Sequence, residues 1–282
     1  MLVTLNEVLP EAKAGKYAVG LFNTVNLEMA KGVVAAAEEM DSPVIIGTAE
    51  VLLPYASLEH LSSFLIPMAK NAKVPVVLHF DHGLTPELIV KAMDLGFTSV
   101  MYDCSTLPFE ENSRRVAELV KAAHARGVSV EAELGHVGSA DGNSTEKSEG
   151  NDTPVFTDPD EARIFYEKTG CDALAVAVGT AHGAYKSAPK LDFDRLKKLS
   201  EAVAAPLVLH GGSGLTDNDF RRSIENGIAK VNIFTDINCA AANAAHDAWK
   251  SGIGMTDLMP EITEAVRKET VKKIKIFTGR TV

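Results

Sequence analysis

Residues 76–85 read V-V-L-H-F-D-H-G-L-T: an unbroken apolar run that takes up His79, Asp81 and His82 at its end, then a glycine. Continuous hydrophobic runs, as opposed to strict apolar-polar alternation, are what parallel strands covered on both faces look like. The stretch that follows, residues 86–95, has the apolar spacing of a helix. Seven further runs of the same kind begin at Tyr17, Ser42, Thr98, Val128, Cys171, Ala205 and Ile228. Helical spacing also marks residues 26–40, 58–71, 110–126, 193–203 and 217–226, and D-P-D-E-A-R-I-F-Y-E-K from Asp158 opens with proline and acids as a helix start should. Two more helices, over 236–250 and 258–277, would complete the outer layer. Eight strand-helix units in 282 residues predict a single-domain (β/α)8 barrel, whose usual size is about 250 residues. The competing doubly wound sheet lacks its G-x-G-x-x-G after the first strand.

The balance of charge narrows the partners. Twenty-eight basic and 38 acidic side chains give a formal charge of -10 with no basic cluster, which argues against nucleic acid and anionic membrane surfaces. Small anions stay open, because backbone amides at helix starts bind phosphate whatever the net charge. Cys104, Cys171 and Cys239 are far apart and form no C-x-x-C pair, so neither a disulfide framework nor a thiolate zinc knuckle is expected. The N-terminal stretch lacks a basic and then apolar leader, and no run approaches a membrane span; a cytoplasmic protein is the expectation.

One connection is far longer than a strand-to-helix loop needs. Residues 135–157 are polar and rich in Gly and Ser, and they leave from a strand end on the face where barrels keep their chemistry. A mobile lid over the active site is the reading.

Strand ends in a parallel barrel converge on one mouth. His82 follows the third predicted strand, Glu133 ends the fifth, His182 follows the sixth and His210 ends the seventh. Three imidazoles with room for a further ligand make a catalytic zinc site. His60, His124 and His246 fall within helices and His79 inside a strand, so these four read as structural. Asp81 precedes His82 on an extended strand end, so their side chains should diverge, leaving a carboxylate near the metal to move a substrate proton. Alternatively it orients a ligand histidine. L-V-L-H-G-G-S-G at Leu207 and K-V-N-I-F-T-D at Lys230 follow the seventh and eighth strands, where barrels often bind phosphate.

The segments H-F-D-H-G at His79, V-E-A-E-L-G at Val130, G-T-A-H-G at Gly179, L-H-G-G-S-G at Leu209 and K-V-N-I-F-T-D at Lys230, with Y-A-V-G-L-F-N and S-V-M-Y-D-C-S, resemble the class II, zinc-dependent ketose-bisphosphate aldolases. The resemblance runs in order along essentially the whole chain. It implies reversible cleavage of a ketose (bis)phosphate to dihydroxyacetone phosphate and an aldehyde through a zinc-stabilised enediolate. It also implies zinc on His82, His182 and His210, one ion per subunit, and exchange of the C4 hydroxyl proton by Asp81. Asn23, Gly183, Gly211, Ser213, Asn232 and Thr235 would bind substrate, Glu133 would be a nearby acid, and carbonyls near Ala181, Gly183 and Gly211 would hold a monovalent cation. Similar proteins form homodimers or homotetramers. No lysine sits at an apolar strand tip, so a Schiff base is not expected.

Two departures from the family pattern are visible. Where relatives carry a G-G-x-E-D-like run, this chain has H-V-G-S-A-D-G-N, which leaves Asp141 as the candidate for the C3 proton, with Glu146 and Glu149 behind it. No Lys or Arg cluster marks the aldehyde end; Arg280 and Thr48 are its only candidates. A ketose 1-phosphate with an unphosphorylated tail, or a sugar-phosphate epimerase using the same enediolate, therefore stand beside the bisphosphate reading.

Overall fold

The eight apolar runs form the staves of a closed barrel in the computed structural model, which describes residues 1–138, 155–183, 185 and 189–280. A two-residue strand, β1 (Leu2–Val3), precedes them. They are β2 (Val19–Asn23), β3 (Val44–Ala49), β4 (Val76–Gly83), β5 (Ser99–Tyr102), β6 (Ser129–Leu134), β7 (Ala173–Val176), β8 (Leu207–Leu209) and β9 (Ile228–Ile233). Each is hydrogen-bonded in parallel to its neighbour, and β9 pairs back with β2, so the ring has no open edge. This is a (β/α)8 barrel in a single domain.

Helices lie between the strands and after the last of them, and all but the first, which fills the barrel floor, surround the barrel. They are α1 (Leu9–Gly15), α2 (Leu27–Glu39), α3 (Leu58–Asn71), α4 (Pro86–Leu95), α5 (Phe109–His124), α6 (Pro159–Thr169), α7 (Phe193–Ala202), α8 (Asp217–Glu225), α9 (Thr235–Ala248) and α10 (Met255–Thr278). Their ends are written in local chemistry. The Asn26 side chain caps Met29 N, Asp158 accepts from Asp160 N and Glu161 N, and Gly96 ends α4 in the left-handed region at φ 104°.

Two elements that the sequence reading did not contain close the lower end. β1 pairs Leu2 and Val3 with Val76 and Val77, filling the gap beneath β5, whose pairing with β4 starts only at His79. Leu5, Val8, Leu9 and Ala12 then enter the floor of the barrel against Val19, Leu21, Ile45, Val77 and Val208. Small residues on the staves, Ala173, Ala175 and Ala229, leave room for this plug. Among the described residues no helix is long and apolar enough to cross a membrane.

Candidate active site

Successive residues of a strand face opposite sides, so residues two apart share the barrel interior. That rule builds the site. The interior positions of β4 run Val77, His79, Asp81; those of β6 run Ser129, Glu131, Glu133; those of β8 reach Val208 and then His210; β2 gives Leu21 and Asn23, and β9 gives Lys230 and Asn232. On β2, β4 and β8 the interior is apolar low in the barrel and polar near its top, whereas on β6 and β9 the named interior positions are polar throughout.

The structure brings His82, His182 and His210 together, with one ring nitrogen from each inside a group spanning no more than 4.8 Å. Ring centroids lie 4.9 Å apart for His82 and His182, 4.5 Å for His82 and His210 and 5.8 Å for His182 and His210. His82 gets there by a break in the ladder: the β4–β5 register shifts between Phe80 and Gly83, and His82 takes a left-handed φ of 42°. The alternation of faces is thereby interrupted, and Asp81 and His82 both enter the buried mouth while engaging different partners. His182 is held by its backbone, whose N–H donates to the Gly138 carbonyl at 2.8 Å.

The nitrogens left over define the chemistry. His82 uses Nδ1 on the Asp103 carboxylate at 2.8 Å, and His210 uses Nε2 on Glu131 at 2.8 Å. His182 Nε2 and His210 Nδ1 are buried with no hydrogen-bond partner. Buried imidazole nitrogens are rarely left unpaired, and such atoms pointing into one spot suit a divalent metal with a taste for nitrogen. Burial and the positive charge at His82 hold His182 well below the usual histidine range, so it is neutral, as a ligand must be. At His82 burial works against the charge, but Asp81 and Asp103 beside it outweigh that and push the ring up to about 10, so a metal binding there would have to displace its proton.

Asp81 lies at the junction of three amide and imidazole groups. Asn23 Nδ2 donates to it at 2.8 Å, Asn232 Nδ2 reaches both its oxygens at 3.1 Å, and His79 Nε2 stands 3.5 Å away. Burial would raise its pKa, yet the charge at His82, the His79 contact and the Lys230 ammonium together hold it well below the usual carboxylate range. It is thereby held as a carboxylate, a form able to accept a proton. Glu133 behaves oppositely: burial first, and the charge of Asp103 second, push it up to about 8. Its Oε2 stands 3.3 Å from His210 Nδ1, and it forms a second possible metal group with His82 and Asp103.

On the phosphate side, Gly183 and Gly211 adopt φ 88° and 64°, and a Cβ on Gly211 would run into the Ala181 backbone. Ser213 Oγ accepts from Asp236 N at 3.3 Å, tying the β8 loop to the start of α9, where half-buried Thr235 is the first residue. The Tyr185 hydroxyl donates to the Gly211 carbonyl and accepts from Ala181 N, both at 2.8 Å, so one of the carbonyls named for a monovalent cation already has a donor. Thr48 is buried on β3 with its hydroxyl unpaired.

Not every candidate lands here. Asp141, Glu146 and Glu149 lie outside the described residues; of the 135–157 insert, the described ends are joined by an antiparallel bridge between His136 and Val155. Arg280 is at the opposite end of the barrel, where its Nη1 donates to the carbonyls of Met40 and Asp41 on the turn that leads into β3. His79, read as structural, is fully buried beside Asp81. Three neighbours were missed: Asp103, Glu131 and Lys230. Glu131 and Lys230 each sit two residues before a named site residue on the same face, and Asp103 closes its stave in S-V-M-Y-D as the named ligands close theirs.

Comparison with known proteins agrees with this geometry. The family profile described as fructose-bisphosphate aldolase class-II matches residues 3–280. A fructose-bisphosphate aldolase of Geobacillus stearothermophilus is 43% identical over 98% of this chain and 96% of its own. Another from Staphylococcus aureus is 40% identical over 98% of this chain and 97% of its own. The crystal structure of the YdjI aldolase from Escherichia coli K12 superposes with a TM-score of 0.88 at 40% identity, covering 98% of this chain and 97% of that one. An aldolase fold with these relatives along its full length leaves one assignment: the chain belongs to the class II fructose-bisphosphate aldolase family and is an aldolase, a carbon-carbon lyase.

Proposed function

We propose that the protein cleaves a ketose phosphate reversibly into dihydroxyacetone phosphate and an aldehyde, using zinc held by His82, His182 and His210. The observation that carries this reading is the convergence of buried, unpartnered imidazole nitrogens at the barrel mouth. The family is generally metal-dependent, and an all-nitrogen donor set favours zinc over the hard, oxygen-seeking cations. When bound, zinc supplies a Lewis acid that polarises the substrate carbonyl and offsets the negative charge that develops as the carbon-carbon bond breaks.

The chain's own groups do the rest. Asp81, ionised and oriented by Asn23 and Asn232, takes the proton of the C4 hydroxyl as the C3–C4 bond breaks and the aldehyde carbonyl forms, and returns it in the synthetic direction. The amides and hydroxyls around Gly183, Gly211, Ser213, Asn232 and Thr235 receive the phosphate of dihydroxyacetone phosphate, where the β8 and β9 loops meet. Glu133 stands by as the nearby acid, and Asp141 is assigned the C3 proton on the family resemblance. Arg280 at the far end of the barrel removes the basic candidate for a second phosphate, and favours a ketose 1-phosphate with an uncharged aldehyde half as an alternative to a bisphosphate. A homodimer or homotetramer in the cytoplasm is the setting proposed.

An aldehyde screen with dihydroxyacetone phosphate, run with and without chelator, tests this. Condensation that stops on chelation and returns with zinc is expected. Condensation that survives chelation, or cleavage that survives Asp81→Ala, contradicts the reading.

A further inference from the structure

Directly beneath the histidines lies a fully buried ion pair that no step of the reaction uses. Lys230 Nζ stands 2.7 Å from Glu131 Oε2, and both side chains are 0% exposed. Burying such a pair rarely stabilises a fold more than apolar residues of the same volume would, and the layer just below is built of such residues. The hydrogen bonds around the pair suggest another purpose. Glu131 Oε1 receives His210 Nε2 at 2.8 Å, and Lys230 Nζ donates to Asn232 Oδ1 at 2.7 Å. Asn232 Nδ2 in turn donates to Asp81.

We propose that Glu131 and Lys230 are positioning residues for the aldol reaction, linking the metal-ligand His210 to the proton acceptor Asp81 through a buried chain of hydrogen bonds joined at its centre by their ion pair. This rests on the aldolase reading above. Each link has a single chemically allowed sense. A carboxylate only accepts, so His210 must carry its proton on Nε2 and turn the Nδ1 lone pair toward the site. An ammonium only donates, so Asn232 must present its oxygen to Lys230 and its NH2 to Asp81. A flipped amide would set an oxygen against the Asp81 carboxylate. His79, Asp81 and Glu131 also offer ligand atoms within 4.8 Å of one another, a grouping that would otherwise attract a cation. The Lys230 ammonium supplies that positive charge from within the chain, and its pairing with Glu131 gives it this role in place of a Schiff base.

The two arms have different signatures. Glu131→Gln weakens the acceptor for His210 and is expected to lower zinc affinity about 10- to 100-fold, read by chelator competition on the protein without any substrate. The double variant Glu131→Gln/Lys230→Met removes both charges together and leaves no unpaired ion in the interior. At saturating zinc its kcat for cleavage is expected to fall at least tenfold with KM within threefold of wild type. Solvent exchange of the C3 proton of dihydroxyacetone phosphate, a step that does not involve Asp81, should change less than threefold. Equal losses in cleavage and exchange, or unchanged zinc affinity and kcat in variants whose circular dichroism matches wild type, overturn the proposal. If the double variant fails to fold, the single Glu131→Gln zinc measurement decides. A wild-type protein that never condenses dihydroxyacetone phosphate would instead defeat the aldolase reading, while the zinc affinities would still report on Glu131.

Discussion

The same eight strands enclose two unlike interiors. Low in the barrel, Leu5, Leu9, Leu21, Ile45, Val77 and Val208 pack as an apolar plug. Two residues beyond Leu21, Val77 and Val208 on the same staves come Asn23, His79 and His210, which, with Glu131 and Lys230 on neighbouring staves, are as deeply buried, yet ionisable or polar. Close apolar packing stabilises without needing a partner for every atom, whereas buried polar groups are tolerated only when each is answered by another. The lower layer therefore holds the fold, and the upper layer spends part of that stability on a polar site that leaves His182 Nε2 and His210 Nδ1, among others, without a hydrogen-bond partner.

Removing a member of the upper layer should cost activity far more than stability. The largest effect is expected for His182→Ala, which takes away a buried nitrogen with no protein partner: zinc affinity by chelator competition and cleavage activity should both collapse, while the melting temperature of the metal-free protein changes little. Asp81→Ala should follow, with kcat down about 10²- to 10⁴-fold at unchanged zinc affinity. A parallel fall in zinc affinity would make Asp81 a support for the metal instead of the proton carrier.

The lower layer should show the reverse. Leu21→Ala is expected to cost about 2–5 kcal/mol of stability in urea unfolding, because it leaves a cavity against the plug, while the folded enzyme keeps its kcat/KM within a few-fold. Smallest of all should be Arg280→Ala at the end of the barrel away from the histidines, with kcat/KM unaltered and stability within about 0.5 kcal/mol. A tenfold rise in KM there would place Arg280 in substrate binding and blur the division between the two ends.

Much of this division is legible in the amino-acid sequence, and the gaps have physical reasons. The continuous apolar runs gave all eight staves, because strands buried on both faces write a strong local signal. The histidines at their tips were found by assuming that parallel strands share one mouth. β1 and α1 escaped because two and seven residues carry almost no periodicity; their burial comes from the barrel floor they fill. Glu131 and Lys230 escaped for a different reason. Each lies inside a strand that reads as apolar overall, and a single charge in such a run gains meaning only when its partner, 99 positions away in the chain for this pair, is known to face it. Asp103 was passed over because the tip of its stave carries no histidine, though it bonds His82 directly. Arg280 shows the converse: sequence nearness to the C-terminus says nothing about which end of the barrel a residue reaches.

X-ray absorption at the zinc edge of the zinc-loaded protein tests the central claim most directly. The account expects nitrogen or oxygen neighbours at about 2.0–2.1 Å with the outer-shell scattering of three imidazoles, reduced to two in His182→Ala. A sulfur neighbour at about 2.3 Å, or a spectrum indifferent to loss of His182, would contradict it.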